Sequence, residues 1–180
     1  MRMKRSAPLV ALMCALAAFC GIGSCSRPPK IVSDLAHFEL NSLDGLLMAG
    51  SNVAVDSTIS SDGTASLKIM ALAPTTVRLF ELGDIDVRNA KIVYRAELRS
   101  TRLSGKAYLE MLVHFKNGEE YFSRGIENPL TGTTSWTTVE IMFILGKGQN
   151  PDNVKLNLVI EGQGTVWIDD IVVLKGPPVT

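Results

Sequence analysis

The chain has 180 residues, of which 18 are Lys or Arg, 18 are Asp or Glu and 46% are hydrophobic. This charge balance excludes the basic footprint expected of a nucleic-acid-binding protein. The length is sufficient for one domain of ordinary size with its own hydrophobic core.

The N-terminal segment has the pattern of a secretory signal peptide. Three cations, Arg2, Lys4 and Arg5, precede an apolar stretch from Ala7 to Ile22 that contains no charged residue. These are the positively charged and hydrophobic regions of such a signal. The stretch is shorter than the roughly 20 residues that an ordinary transmembrane helix needs.

The hydrophobic stretch ends in Ile22-Gly23-Ser24-Cys25, which resembles the bacterial lipobox. The resemblance implies cleavage before Cys25, whose thiol would carry the lipid, and makes residues 1–24 a lipoprotein signal peptide. The alternative is an ordinary secretory signal with an incidental cysteine. Ser26 stands where the inner-membrane retention signal of many Gram-negative lipoproteins has Asp, which favours the outer membrane in such a bacterium.

Processing would change the charge and the cysteine content of the chain. Without the three leader cations, 15 basic residues face 18 acidic ones, a formal charge near −3. Cys14 and Cys20 would leave with the leader, so Cys25 alone would remain and no disulfide could form within the chain. The fold of this exported protein must then rest on its core.

A short linker follows the cysteine. Residues 25–30 contain a proline pair and are polar, which indicates a stiff, extended segment. At about 3.1 Å per residue it would reach only roughly 15 Å, so the domain should lie close to the membrane.

Residues 31–176 are predicted to form one all-β domain, followed by a tail of residues 177–180. Short apolar or alternating stretches recur between turn residues, as in a sandwich or barrel. The eight predicted strands are Ala65 to Leu72, Thr76 to Leu82, Ala90 to Arg99, Ala107 to Phe115, Glu119 to Arg124, Thr137 to Leu145, Val154 to Glu161 and Thr165 to Leu174. Asn117-Gly118 lies between two of them and is a type I′ hairpin signal.

Alternation within the strands predicts which side chains face the core. Between Ala107 and Phe115, the odd-numbered residues are apolar, whereas the other face has a mixed polar and aromatic row. That row is Tyr108, Glu110, Leu112 and His114. Between Val154 and Glu161, the even-numbered residues are the predicted core row.

The end of the chain resembles the closing strand of the galactose-binding-like jelly rolls, including the carbohydrate-binding modules of the CenC type. The matching segment is Gly164-Thr165-Val166-Trp167-Ile168-Asp169-Asp170-Ile171-Val172-Val173-Leu174. Phe38-Glu39, the run from Ser61 to Ile69 and the run from Ser135 to Glu140 fit the same pattern in order. The resemblance implies a jelly-roll β-sandwich of two antiparallel sheets.

A structural calcium ion is frequent in this family, between the two ends of the domain. Carried over to this chain, its ligands would be Glu39, Asp170 and oxygens near Asp62. Carboxylates and carbonyls from several segments are suitable ligands for calcium. The alternative is that Asp169 and Asp170 pair with nearby cations or accept backbone hydrogen bonds at the strand end.

The candidate ligand-binding residues are Tyr108, Glu110, His114, Tyr121 and Arg124. Sugar-binding modules stack pyranose rings on exposed aromatics and read the hydroxyls with polar groups. Trp136 and Trp167 occupy positions that more often pack inside, and Tyr94 is a further candidate. If the Glu119 to Arg124 strand pairs with its neighbour, either Tyr121 or Phe122 could join Arg124 in one groove. The alternative is an ordinary polar sheet face.

The functional hypotheses are two. The chain has two His, no thiol after lipidation and no nucleophile elbow or phosphate loop, so a catalytic constellation is not indicated. One hypothesis is a non-catalytic, membrane-anchored binding module for a glycan or glycoconjugate. The other is an interaction lipoprotein that docks another envelope protein through the sandwich.

Overall fold

The computed structural model describes residues 33–47 and 52–177. The predicted signal peptide, Cys25, the linker and residues 178–180 of the predicted tail lie outside the described residues. Within the described ranges the chain forms strands and turns, and no helix there is long and apolar enough to cross a membrane.

Nine strands build the fold in the part of the chain that the structure describes. They are β1 (Ser33–Phe38), β2 (Val53–Asp56), β3 (Ser66–Ala71), β4 (Thr75–Gly83), β5 (Lys91–Phe115), β6 (Glu120–Arg124), β7 (Leu130–Ile144), β8 (Pro151–Glu161) and β9 (Gly164–Gly176). All the pairings between them are antiparallel.

The nine strands form one continuous sheet that curls into two layers facing each other across the core. In layer I, β9 lies between the first half of β5 and the strands β1 and β3, with β2 outside β3 and β7 on the far side of β5. In layer II, the second half of β5 lies between β6 and β8, and β4 flanks β8. This is the predicted antiparallel jelly-roll sandwich.

The strand β5 belongs to both layers because it crosses between them at residues 102–105. Arg102 has a positive φ of 50°, and the pairing of β5 with β7 shifts register on both sides of Leu103. Gly105 lies against β8, where an added Cβ would be 1.7 Å from the Glu161 carbonyl oxygen. Only glycine fits this close approach of two backbones.

The core lies between the layers and follows the predicted alternation. Layer II contributes fully buried side chains at Leu109, Met111, Val113, Val154, Leu156, Leu158 and Ile160. Layer I contributes Ile92, Tyr94, Leu98, Val166, Ile168 and Ile171, also fully buried. Both predicted core rows are therefore confirmed.

Three features differ from the sequence prediction. Ala90 to Arg99 and Ala107 to Phe115 are one strand, because the pairing with β7 continues through the kink at 102–105, where Leu103 is opposite Gly132. Strand β7 begins seven residues before the predicted Thr137, in a Thr-rich run without apolar periodicity. The short strands β1 and β2 were not predicted, because their buried and exposed residues do not alternate regularly.

The predicted hairpin at Asn117-Gly118 is present with a different turn. Gly118 has a φ of 88°, whereas Asn117 is not among the positive-φ residues. The Gly118 N–H donates to the Phe115 carbonyl at 2.8 Å, and the Phe115 N–H donates to the Glu119 carbonyl at 2.9 Å. This is the geometry of a longer hairpin loop with glycine in the left-handed position rather than a two-residue type I′ turn.

Candidate functional site

The outward face of layer II carries the predicted polar row. Residues of β5 that alternate with the core row point away from the core, and the register places polar side chains of β6 and β8 beside them. Glu110 is opposite Arg124 on β6 and Asn157 on β8. The pairing thus brings together residues that are distant in the chain, since Glu110 and Asn157 lie 47 positions apart.

Glu110 is the centre of this face. Glu110 is 7% exposed. One of its carboxylate oxygens accepts a hydrogen bond from the Arg124 Nε at 2.5 Å, and the other accepts from the Asn157 Nδ2 at 2.9 Å. The carboxylate of Glu110 raises the pKa of the Arg124 guanidinium. Asn157 itself is 4% exposed. A buried carboxylate needs such partners because an unpaired buried charge is costly.

Tyr108 is the second buried member of the face. It is 5% exposed, its hydroxyl donates to the Glu161 Oε1 at 2.6 Å, and the Lys106 Nζ lies 5.7 Å from its ring centroid. Burial, together with the Glu161 carboxylate, raises the pKa of Tyr108 to about 12. The hydrogen bonds from Tyr108 and Lys106 hold the pKa of Glu161 below its usual range.

A His–Asp contact and a further ion pair lie at the other end of the face. The His114 Nδ1 is 2.7 Å from the Asp152 Oδ1, and this contact lowers the pKa of Asp152. Lys155 Nζ is 2.9 Å from Glu120 Oε2. Three ion pairs, Arg124–Glu110, Lys106–Glu161 and Lys155–Glu120, and the His114–Asp152 contact therefore lie on this surface, which is named the ion-pair face.

Tyr121 does not join the ion-pair face. It is opposite Val113, whose side chain is in the core, and its ring contacts Phe115 edge-on with 5.9 Å between centroids. Phe122 takes the outward position instead, with the Arg124 guanidinium 4.3 Å from its ring centroid. Of the two possibilities from the sequence, Phe122 therefore accompanies Arg124. Tyr94, the further candidate, is fully buried in the core.

The sequence analysis missed the β8 members of the ion-pair face as site residues. Asn157 and Glu161 are at odd-numbered positions, opposite the predicted core row of their strand, and Lys106 lies just before a predicted strand, so none of them was selected. The register of β5 against β8 selects them, since Glu110 is opposite Asn157 and Lys106 is opposite Glu161. A single sequence contains no signal for that register.

The Asp169-Asp170 pair lies in the middle of β9, at a local bulge where the register against β5 shifts. Asp169 is buried and accepts hydrogen bonds from the Ser61 N–H at 2.8 Å and the Ser61 Oγ at 2.7 Å, which ties the loop before β3 to β9. Burial raises the pKa of Asp169. Asp170 has a φ of 46°, and its Oδ1 is 2.6 Å from the His37 Nε2.

The three predicted calcium ligands each have a different protein partner. Glu39 accepts from Asn41 at 3.1 Å, Asp62 accepts from the Thr64 N–H at 2.7 Å, and Asp170 contacts His37. Among the residues that the structure describes, no three His, Cys, Asp or Glu side chains group as metal ligands. These side chains are hydrogen-bonded to protein partners, and calcium binding stays a prediction.

A groove of about 670 Å³ lies where the edges of the two layers, β6 and β7, approach each other. One wall is the segment from Ser123 to Leu130, and the other is β7 from Thr131 to Met142. Gly125 lets the first wall pass close to the strands, since an added Cβ would be 3.1 Å from the Ile141 Cγ2. The groove shares Arg124 with the ion-pair face.

No protein-family model matches the chain, and no curated protein matches its sequence. Solved structures do match its fold. The CBM22-1 xylan-binding domain of Paenibacillus barcinonensis Xyn10C is similar with a TM-score of 0.59 and 15% identity, over 84% of this chain and 100% of that one. A xylan-binding domain of CBM 22 is similar with a TM-score of 0.58 and 10% identity, over 83% of this chain and 99% of that one.

A larger protein is also similar. The Clostridium thermocellum xylanase Xyn10B with its CBM22-1 and GH10 modules, complexed with xylohexaose, gives a TM-score of 0.56 at 12% identity. The match covers 79% of this chain and 28% of that one. At these identities the likeness concerns the fold. The described domain therefore has the β-sandwich fold of carbohydrate-binding modules.

Proposed function

We propose that this protein is a non-catalytic glycan-binding module, anchored by lipid on Cys25 to the outer side of a bacterial membrane. The observation that carries the proposal is the buried Glu110, held between Arg124 and Asn157 on an outward face of this fold. A sugar site needs polar side chains fixed in this way, because they can hydrogen-bond to sugar hydroxyls without first changing their own positions.

The ion-pair face supplies the groups for sugar recognition. Carboxylates accept hydrogen bonds from sugar hydroxyls, and the Lys and Arg side chains donate to them. Lys106 and Arg124 have side chains 39% and 42% exposed, so they can exchange partners with a ligand in solvent. They cover the rings of Tyr108 and Phe122, which a pyranose could contact once the cations swing aside.

The site assignment is tested by binding of the detergent-solubilised lipidated protein to soluble polysaccharides, neutral xylan first, by affinity electrophoresis and calorimetry. Glu110→Gln should weaken binding by about tenfold or more, because hydrogen bonds to a charged group are worth about 1.5 to 3 kcal/mol. Glu140→Gln is the matched control, since it removes a Glu–Arg pair, with Arg95, from the outer face of layer I.

Two results would count against the proposal. If Glu110→Gln binds as tightly as the unchanged protein, the ion-pair face is not the sugar site. If no polysaccharide or glycan from an array is bound, glycan recognition itself is wrong. Thermal unfolding of both variants distinguishes lost binding from a lost fold.

The lipid anchor is tested separately. An alkyne-labelled fatty acid fed to the producing bacterium should label the protein, and Cys25→Ser should abolish both the label and recovery in the membrane fraction. Cys20→Ser is the control, because Cys20 would be removed with the signal peptide. Labelling that persists in Cys25→Ser would contradict the lipobox interpretation.

A further inference from the structure

The strand β7 is hydrogen-bonded along one edge. Within the described ranges its strand partner is β5, although β7 is 15 residues long. Natural proteins usually interrupt such an edge with Lys, Pro or a bulge, because a bare edge is a template for another strand. Between Thr137 and Ile144, where pairing with β5 is regular, β7 has no Lys or Pro. The other edge of β7 is therefore open to a further strand before Met142, whose carbonyl accepts from Ser123.

The hydrogen bonds at the end of β7 reveal which backbone groups point outward. The Leu145 N–H donates to the Ala90 carbonyl at 3.1 Å, towards β5. The Met142 carbonyl instead accepts from the Ser123 Oγ at 2.9 Å, on the opposite side. Because this direction alternates along an antiparallel strand, the N–H and C=O groups of Thr138 and Glu140 also point away from β5.

The groove beside this edge offers room for the side chains of an added strand. Val139 and Ile141 of β7 and Leu130 line it, and the layers meet across it at the Ser123–Met142 contact. Successive side chains of an extended peptide point to opposite faces. Those that point inward would occupy this volume against Leu130 and Ile141, so they should be apolar.

The charges of the groove favour a basic partner. Arg124 is paired with Glu110, and Glu140 is paired with Arg95. Glu127 also lines the groove, and no ion pair of the described residues involves it. The uncommitted charge at this site is thus negative.

We infer that β7 accepts an extended peptide segment from a partner protein, with apolar residues at alternate positions and a Lys or Arg facing Glu127. A second copy of this chain is a poorer occupant. The inward side chains of its own β7, such as Ile141 at 6% exposure, already lie in its own core and cannot fill the groove. The inference does not rest on glycan binding, although the groove shares Arg124 with the ion-pair face.

The experiment uses the detergent-solubilised lipidated protein and hydrogen exchange of its backbone amides. The probe is an acetylated and amidated peptide of alternating valine and threonine, flanked by lysine. At saturating peptide, the Thr138 and Glu140 amides should exchange about tenfold more slowly, as amides do when they enter a ladder. Glu127→Gln should weaken binding by about threefold, in the range of a single exposed ion pair.

Two controls make the result specific. The same peptide, N-methylated at every residue, has no N–H donor on either edge and should give no protection. Thr138→Pro removes an outward N–H and should abolish binding, whereas Thr138→Ala keeps that N–H and should preserve it.

Three outcomes would overturn the inference. They are protection by the N-methylated peptide, absence of protection by the unmodified peptide, and concentration-dependent protection without peptide, which would identify a second copy as the occupant. The two peptides are compared on the unchanged protein, so the test does not depend on the folding of Thr138→Pro.

Discussion

Two aromatic side chains on opposite outer faces of the sandwich are held by the same local chemistry. On layer I, Trp167 is 5% exposed, and its Nε1 donates to the Asp56 Oδ2 at 3.0 Å. Lys68 and Arg99 lie 5.6 Å and 5.7 Å from its ring centroid. On layer II, Tyr108 has the same exposure, a carboxylate acceptor and a cation over its ring.

The two clusters differ in how firmly the carboxylate is fixed. Asp56 lies on β2, its side chain is 12% exposed, and it also accepts from the Thr58 Oγ1 at 2.6 Å. Glu161 is at the end of β8 with a side chain 46% exposed. The Trp167 cluster is therefore closed and joins β2 to β9, whereas the Tyr108 cluster can open to a ligand. The same chemistry is structural on one face and adaptable on the other.

The largest effect is expected from Trp167→Ala. Removing this buried ring should lower the free energy of unfolding by about 3 to 5 kcal/mol. Trp167→Phe, which keeps most of the ring but loses the bond to Asp56, should cost about 1 to 2 kcal/mol. Urea unfolding measures both, and a Trp167→Ala cost below about 1 kcal/mol would show that the cluster is not structural.

The second largest loss of stability is expected from Arg124→Leu. This substitution leaves the Glu110 carboxylate with Asn157 as its remaining partner. The Glu110 side chain is 9% exposed, so the loss should cost about 2 kcal/mol, below the 3 to 5 kcal/mol of a fully buried pair. Arg95→Leu is the matched control, because its partner Glu140 is 34% exposed and should lose less than about 1 kcal/mol. Equal costs for the two variants would contradict a special role for Glu110.

Most of the fold could be predicted from the sequence because burial imposes a period of two on its strands. The rows from Leu109 to Phe115 and from Val154 to Ile160 are apolar at alternate positions, and their burial was confirmed. β2 could not be found in this way, since it is four residues long and two of them are exposed. The kink in β5 depends on the approach of Gly105 to β8, a contact between segments distant in sequence.

The candidate site could be predicted only in part. The period of β5 places Tyr108, Glu110 and His114 on one face, and they do share it. It does not determine whether Tyr121 or Phe122 faces outward, because that depends on the four residues between β5 and β6. Nor does it show that Asn157 is opposite Glu110, since the register of β5 against β8 is set by the packing of both core rows.

A smaller effect concerns pH and the closed cluster. The hydrogen bonds from Thr58 and Trp167 lower the pKa of Asp56 from 3.8 to about 2. A carboxylate with a lowered pKa stabilises the fold above its unfolded pKa, and that contribution is lost as the pH falls from about 4 to about 2. The loss should be roughly 2 kcal/mol for the unchanged protein.

Asp56→Asn removes the titrating group, so stability should depend less steeply on pH in this window. Burial raises the pKa of Asp169, which acts in the opposite direction, because protonation of that group on acidification favours the folded state. Thr58→Ala, which removes the strongest of the hydrogen bonds to Asp56, should give an intermediate slope. Urea unfolding at several pH values measures the slopes, and identical slopes for Asp56→Asn and the unchanged protein would refute the assignment.

The smallest effect is expected from Tyr108→Phe, on the adaptable face. The substitution removes the hydroxyl that donates to Glu161 and keeps the ring under Lys106. Because Glu161 is exposed and retains Lys106 at 3.2 Å, its carboxylate stays solvated and paired. The cost should be below about 1 kcal/mol, since no buried group loses its partner. Trp167→Phe should cost more, because the Asp56 carboxylate that loses its partner is less exposed than that of Glu161. A Tyr108→Phe cost equal to or above that of Trp167→Phe would mean that both clusters are closed.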